Sequence, residues 1–105
     1  MKLSDKPIEF LVGLITGDSG ISEYRTGPKL VDFFNAHGET DLYGSGFPSR
    51  HIYVREKLNE INGQDRIVGI VEAAFNYLDD DEEHAENVAF QFSKIVSRDG
   101  LKLEK

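Results

Sequence analysis

Cysteine is absent from the 105 residues, which at once removes a disulfide framework, a thiolate nucleophile and any Cys-ligated zinc or iron–sulfur site. Long apolar runs are missing too. The longest cover only a few residues, and Met1-Lys2-Leu3-Ser4-Asp5 passes directly into a helical pattern without a signal-peptide apolar region. A cytoplasmic, water-soluble protein is therefore expected. Positive charge is scarce: 12 Lys and Arg stand against 19 Asp and Glu for a net charge of -7, which opposes nonspecific attraction to nucleic acid or an anionic membrane.

Catalytic signatures are missing as well. The sequence has no His-Glu-x-x-His pair, no P-loop, no Gly-x-Ser-x-Gly elbow and no Arg followed by His at the four-to-six-residue spacing of many all-helical antiviral ribonucleases. Gly44-Ser45-Gly46 begins like a dinucleotide fingerprint but runs on into Phe47-Pro48-Ser49. In the acidic run Asp79-Asp80-Asp81-Glu82-Glu83, alternate residues imitate the start of an EF-hand. The position for its glycine is His84 and that for its closing glutamate is Phe90, so a solvated helix start explains the run better than calcium. His37, His51 and His84 each fall at a helix end, where a polar side chain is ordinary. No cofactor or metal is expected, and no enzymatic activity.

What is present is core-forming material, 39% hydrophobic and 10% aromatic, in a length that suits one domain. Apolar residues recur at helical spacing in five segments. Ser4 and Pro7 open the first, which carries Ile8, Leu11, Val12 and Ile15 and ends at Gly17-Asp18-Ser19-Gly20. Thr26-Gly27-Pro28 opens the second, with Leu30, Phe33 and Phe34, stopped by His37-Gly38. Ser49 caps the third, with Val54, Leu58 and Ile61, terminated by Asn62-Gly63. The fourth starts at Asp65 and carries Ile67, Ile70, Val71, Ala74, Phe75 and Leu78; its internal Gly69 suggests a close helix–helix contact. The fifth carries Ala85, Val88, Ala89, Phe92, Ile95 and Val96 up to Asp99-Gly100. Leu101-Lys102-Leu103 then alternates like a strand beginning, with nothing in the sequence to pair with it. The expected fold is an all-α single small domain over residues 1–100, five short helices around a glycine-rich central loop at Glu39–Ser49, with 101–105 a tail or the start of a following domain.

The chemistry-bearing residues gather in the middle. Residues 1–57 carry a net -1 and residues 58–105 a net -6, so an anionic partner would meet the first half, where Arg25, Lys29, Arg50, Arg55 and Lys57 occur beside aromatics. Two segments stand out: Tyr24-Arg25-Thr26-Gly27-Pro28-Lys29 and Tyr43-Gly44-Ser45-Gly46-Phe47-Pro48-Ser49-Arg50-His51-Ile52-Tyr53. Arg supplies forked hydrogen bonds and Tyr rigid contact area, and helix N-termini bind phosphate through free N–H groups. Tyr24, Arg25, Lys29, Tyr43, Phe47, Arg50 and Tyr53 are the candidate partner-binding residues. The alternative reading has Phe47 and Tyr53 packing under the loop while Arg25 and Arg50 tie it to nearby acids such as Asp32, Asp41 or Glu23.

The same segments, with Ile15-Thr16-Gly17-Asp18, Leu30-Val31, Phe33-Phe34-Asn35, Asn62-Gly63 and Asp99-Gly100, resemble the AbiJ-type N-terminal domain of bacterial abortive-infection and other antiphage proteins. The resemblance covers nearly the whole chain, and Gly46-Phe47-Pro48-Ser49-Arg50 is its distinctive part. It implies a sensing, regulatory or oligomerising module beside a separate effector domain. No effector follows Lys105, so the chain is either an excised module or a freestanding protein. Three functions are thus expected in order: a non-enzymatic module binding a protein partner or attached effector through the Arg and Tyr face, with homo-oligomerisation open; a nucleic-acid-binding domain using the same face; and an enzyme whose site forms on oligomerisation from His37, Glu39, Asp41 and His51.

Overall fold

A computed structural model of the chain describes residues 2–20, 22–76, 86–87, 89–94 and 101–102. The protein is a small all-α domain. Strand β1 (Lys2–Leu3) leads into helix α1 (Asp5–Thr16), followed by α2 (Gly27–Asn35), α3 (Arg50–Ile61), α4 (Arg66–Asn76) and strand β2 (Leu101–Lys102). Residues 86–87 and 89–94 are helical as well.

The helical spacing of the sequence is what fills the core. Leu11, Leu14 and Ile15 of α1, Leu30 and Phe34 of α2, Val54, Leu58 and Ile61 of α3, and Ile67, Ile70 and Ala74 of α4 are all fully buried. Completely burying one such aliphatic or aromatic side chain contributes about 1.5–3 kcal/mol, so this set is the main stabilising term. Phe92, from the fifth segment, closes one edge against Phe10 at 5.6 Å and Phe75 at 5.4 Å between ring centroids. Ser4, Thr26 and Ser49 hold the N-cap positions read from the sequence, yet none of their hydroxyls accepts a backbone N–H.

Two readings change. The C-terminal strand does have a partner, because Leu101–Lys102 pairs antiparallel with Lys2–Leu3. Lys2–Leu3, ahead of the Ser4 cap, is also held by Asn62, whose side chain accepts the Leu3 N–H and donates to the Leu3 carbonyl, both at 2.7 Å. One amide from the end of α3 thus satisfies both backbone groups of a residue 59 positions away. Gly69 faces His37, but a Cβ there would sit 3.7 Å from the ring, an ordinary contact, so no tight helix crossing demands the glycine. The acidic run, Leu78 and His84 lie outside the described residues.

Candidate functional site

The arginines of the central face complete the end of helix α1. A helix leaves its last four carbonyls without intrahelical donors, and α1 has no basic residue in its final turn to complement them. The Gly13 carbonyl accepts the Gly17 and Ser19 N–H groups, and the Leu14 carbonyl accepts the Ser22 hydroxyl. Arg25 donates through Nη1 to the Ile15 carbonyl. The Thr16 carbonyl takes the Arg25 N–H at 3.0 Å and Arg50 Nη2 at 2.6 Å. Two guanidinium groups therefore stand at the negative end of the helix dipole, where cations are favoured.

Arg50 reaches this point from the first turn of α3. Besides Thr16 it donates through Nε to the Arg25 carbonyl at 2.8 Å and through Nη1 to the Asp18 carboxylate at 2.9 Å. Its plane lies over the Tyr24 ring, 3.9 Å from the centroid, the stacking that a planar delocalised cation favours. Arg25 is 3% exposed and sits 4.8 Å over Phe33. The expectation that Arg25 and Arg50 present free guanidiniums to a partner is corrected on this point: Arg25 is buried with Nη1 on the Ile15 carbonyl, and Arg50 is engaged by the Thr16 and Arg25 carbonyls and the Asp18 carboxylate.

The glycine-rich loop is similarly tied down. Asn35 brackets Asp41, accepting its N–H at 2.9 Å and donating to its carbonyl at 3.0 Å. Lys57 of α3 binds Glu39 at 2.8 Å and Asp41 at 2.9 Å, and Arg66 of α4 binds Glu39 at 2.8 Å. Tyr53 donates its hydroxyl to Asp41 at 2.7 Å. It is only 5% exposed, so it supports the loop from beneath and is corrected as a direct partner contact. Phe47 is half-buried on Tyr53 at 4.7 Å, and Tyr43 lies on Phe47 at 4.7 Å. Tyr43 also covers Gly27, where a Cβ would come within 2.2 Å of its ring.

What remains outward is mainly apolar and aromatic. Tyr24 is 57%, Tyr43 53% and Leu42 90% exposed, and Lys29 is exposed on α2. Leu42 went unnoticed in the sequence because a single leucine inside a turn-rich loop has no periodic partner. A cleft of about 490 Å³ runs beside α2 past Tyr24, Lys29, Phe33, His37 and Ala73. A second groove, about 580 Å³, lies between the loop and the first turns of α3. His51 is exposed on α3, while Glu39 and Asp41 are held in ion pairs. Among the described residues, no three His, Asp or Glu side chains are grouped to hold a metal ion, and no helix is long and apolar enough to cross a membrane.

The charge cluster makes the loop pH-sensitive. The Lys57 hydrogen bond, reinforced by Arg66, outweighs burial and holds the Glu39 carboxyl below its usual range. At Asp41, burial acts upward but hydrogen bonds from Lys57 and Tyr53 prevail, and its carboxyl is lowered too. A carboxylate lowered in the folded state stabilises fully above its unfolded value of roughly 4 and loses that contribution as pH falls through the folded value. Burial disfavours the Lys57 ammonium, yet Glu39 and Asp41 raise it overall, so its contribution is lost only on the alkaline side, above roughly 10.5. The melting temperature is thus expected to be flat through neutrality and to fall below about pH 4, and Asp41→Asn should shallow the acid limb in a scan of melting temperature against pH. An unchanged acid limb would remove Asp41 from the account.

Comparison of this chain with protein-family models, with curated proteins and with solved structures returns no match.

Proposed function

We propose that this chain is a non-enzymatic interaction module that engages a protein partner, or an attached effector domain, through the exposed aromatic ridge of Tyr24, Leu42 and Tyr43 with Lys29 at its margin. The antiphage setting comes from the resemblance to AbiJ-type N-terminal domains, and the cytoplasmic location from the sequence. The observation that carries the reading is the contrast between a tied-down scaffold and an outward apolar surface. The start of the loop is held at Asp41 by Asn35, Lys57 and Tyr53, and Phe47 packs on Tyr53, while Leu42 stands 90% exposed. Large aromatic and aliphatic groups on a pre-ordered surface bind at low entropic cost.

Nucleic-acid binding by the same face is less well supported. Of the five cations that favoured it, Arg25 and Arg50 cap α1, Arg55 holds Glu9 through a two-pronged pair at 2.7 and 2.8 Å, and Lys57 holds Glu39 and Asp41. Lys29 alone of the five is exposed without an ion pair among the described residues, too little charge for the several phosphate contacts that binding needs. An oligomeric active site built on Glu39 and Asp41 would first have to break the ion pairs that order the loop.

The test is phage plating on bacteria that produce the full chain together with the products of the genes that flank its own, so that a separate effector is supplied. Plating efficiency should fall relative to an empty-vector lawn. The Leu42→Asp and Tyr43→Ala double variant should return it to control, with a melting temperature within a few degrees of the parent. Protection that survives the double variant would reject the ridge, and a chain without effect on plating would reject the antiphage role.

A further inference from the structure

We propose that the groove between the glycine-rich loop and the first turns of α3 receives a cationic, extended segment of the partner, an Arg or Lys set against the Tyr43 and Phe47 rings and Glu56 with an apolar neighbour on Leu42. This inference rests on the reading of the loop as a protein-binding surface and specifies the chemistry of what binds there.

The groove is lined by both aromatics and carboxylates. Tyr43, Phe47 and Tyr53 form a continuous series of tilted rings at 4.7 Å spacing, and Asp41 and Glu56 complete the lining. A guanidinium or ammonium over an aromatic face gains about 0.5–2 kcal/mol, more as water is excluded. The same fold already uses this contact internally: Arg50 lies over Tyr24, and Lys57 lies 5.9 Å from the centre of Tyr53.

Charge complementarity decides the sign. Lys57 is surrounded by Glu39, Asp41 and Glu60, at 2.8, 2.9 and 3.5 Å, so the carboxylates around it outnumber it even with Arg66 included. Glu56 is exposed and makes no ion pair among the described residues. With a net charge of -7 on the chain, a cationic segment is steered in and an acidic one repelled. The cleft beside α2 offers no such discrimination, because Glu23 and Asp32 are matched there by Arg25 and Lys29. An extended segment has room there, since Gly44, Ser45 and Gly46, in the turn closed by the Phe47 N–H on the Gly44 carbonyl, are exposed and carry almost no side chain beside the groove.

The test titrates two capped peptides, Arg-Leu-Arg-Leu and Glu-Leu-Glu-Leu, into the isotope-labelled full chain and follows backbone amide shifts. The basic peptide should move the amides of Leu42–Phe47 and Glu56 saturably, and the acidic peptide should not. Tyr43→Ala and Glu56→Lys should each weaken the basic peptide by about tenfold, and Glu56→Lys should begin to respond to the acidic one. Equal responses to both peptides, or no response at these amides, would overturn the cationic ligand. If the plating variants lose protection while the basic peptide fails to bind, the interaction surface stands and this inference falls. Peptide binding by a chain without effect on plating keeps the surface and its cationic ligand and rejects the antiphage role.

Discussion

Arg50→Ala is expected to destabilise the protein by about 3 kcal/mol, a fall in melting temperature of roughly 12–18 °C for a domain of this size. From a half-buried position the guanidinium donates to two backbone carbonyls, that of Thr16, which also accepts the Arg25 N–H, and that of Arg25. A hydrogen bond to a charged donor contributes about 1.5–3 kcal/mol, and an acceptor left without one costs about 1–3 kcal/mol. The Asp18 arm adds little, because that carboxylate is exposed and such pairs contribute about 0–1 kcal/mol. Arg50→Lys separates geometry from charge. A lysine keeps the cation near the helix end but cannot hold both carbonyls and the Tyr24 face together, so it should recover less than half of the loss in thermal unfolding. Full recovery by lysine would mean that charge at the helix terminus, and not the forked geometry, is what matters.

Gly17→Ala should be at least as damaging, at about 4 kcal/mol. Gly17 ends α1 in the left-handed conformation, φ 83°, which costs other residues about 1–2 kcal/mol. Its unusual severity has a second source. The returning chain crosses so closely that a Cβ would lie 2.5 Å from both the Glu23 carbonyl oxygen and the Tyr24 Cα. Those are backbone atoms, so relief requires lifting the segment that carries Arg25, which would also pull donors away from Ile15 and Thr16. Gly20 is the control. It has φ 81° with nothing within 4 Å of an added Cβ, so Gly20→Ala should show only the conformational cost, about 1 kcal/mol. Equal losses at both positions, measured by denaturant unfolding, would show that the backbone crossing contributes nothing.

The helices were legible because burial repeats with the helical period. Ile8, Leu11 and Ile15, then Leu30 and Phe34, then Val54, Leu58 and Ile61, are the positions that spacing selects, and all are buried. The glycine and proline signals placed the ends to within a residue or two. The site was legible only as a neighbourhood. An Arg next to a Tyr reads identically whether it faces outward or caps a helix 34 residues earlier, as Arg50 does with Thr16. One cue was available: α1 lacks a basic residue in its last turn, so its terminal carbonyls had to find donors elsewhere. The anchoring amides of Asn35 and Asn62 carry no periodic signal, and their partners, Asp41 and Leu3, are set by the fold alone.

The pairing of Lys2–Leu3 with Leu101–Lys102 has an architectural consequence. The polypeptide comes in and goes out through adjoining gates, so the whole unit could be spliced into a surface turn of a host protein without prying that turn apart, much as a bead hangs from a loop of thread. Joining the two ends directly with a short glycine bridge and reopening the chain between Gly44 and Gly46 should accordingly yield a permuted protein with the same helices.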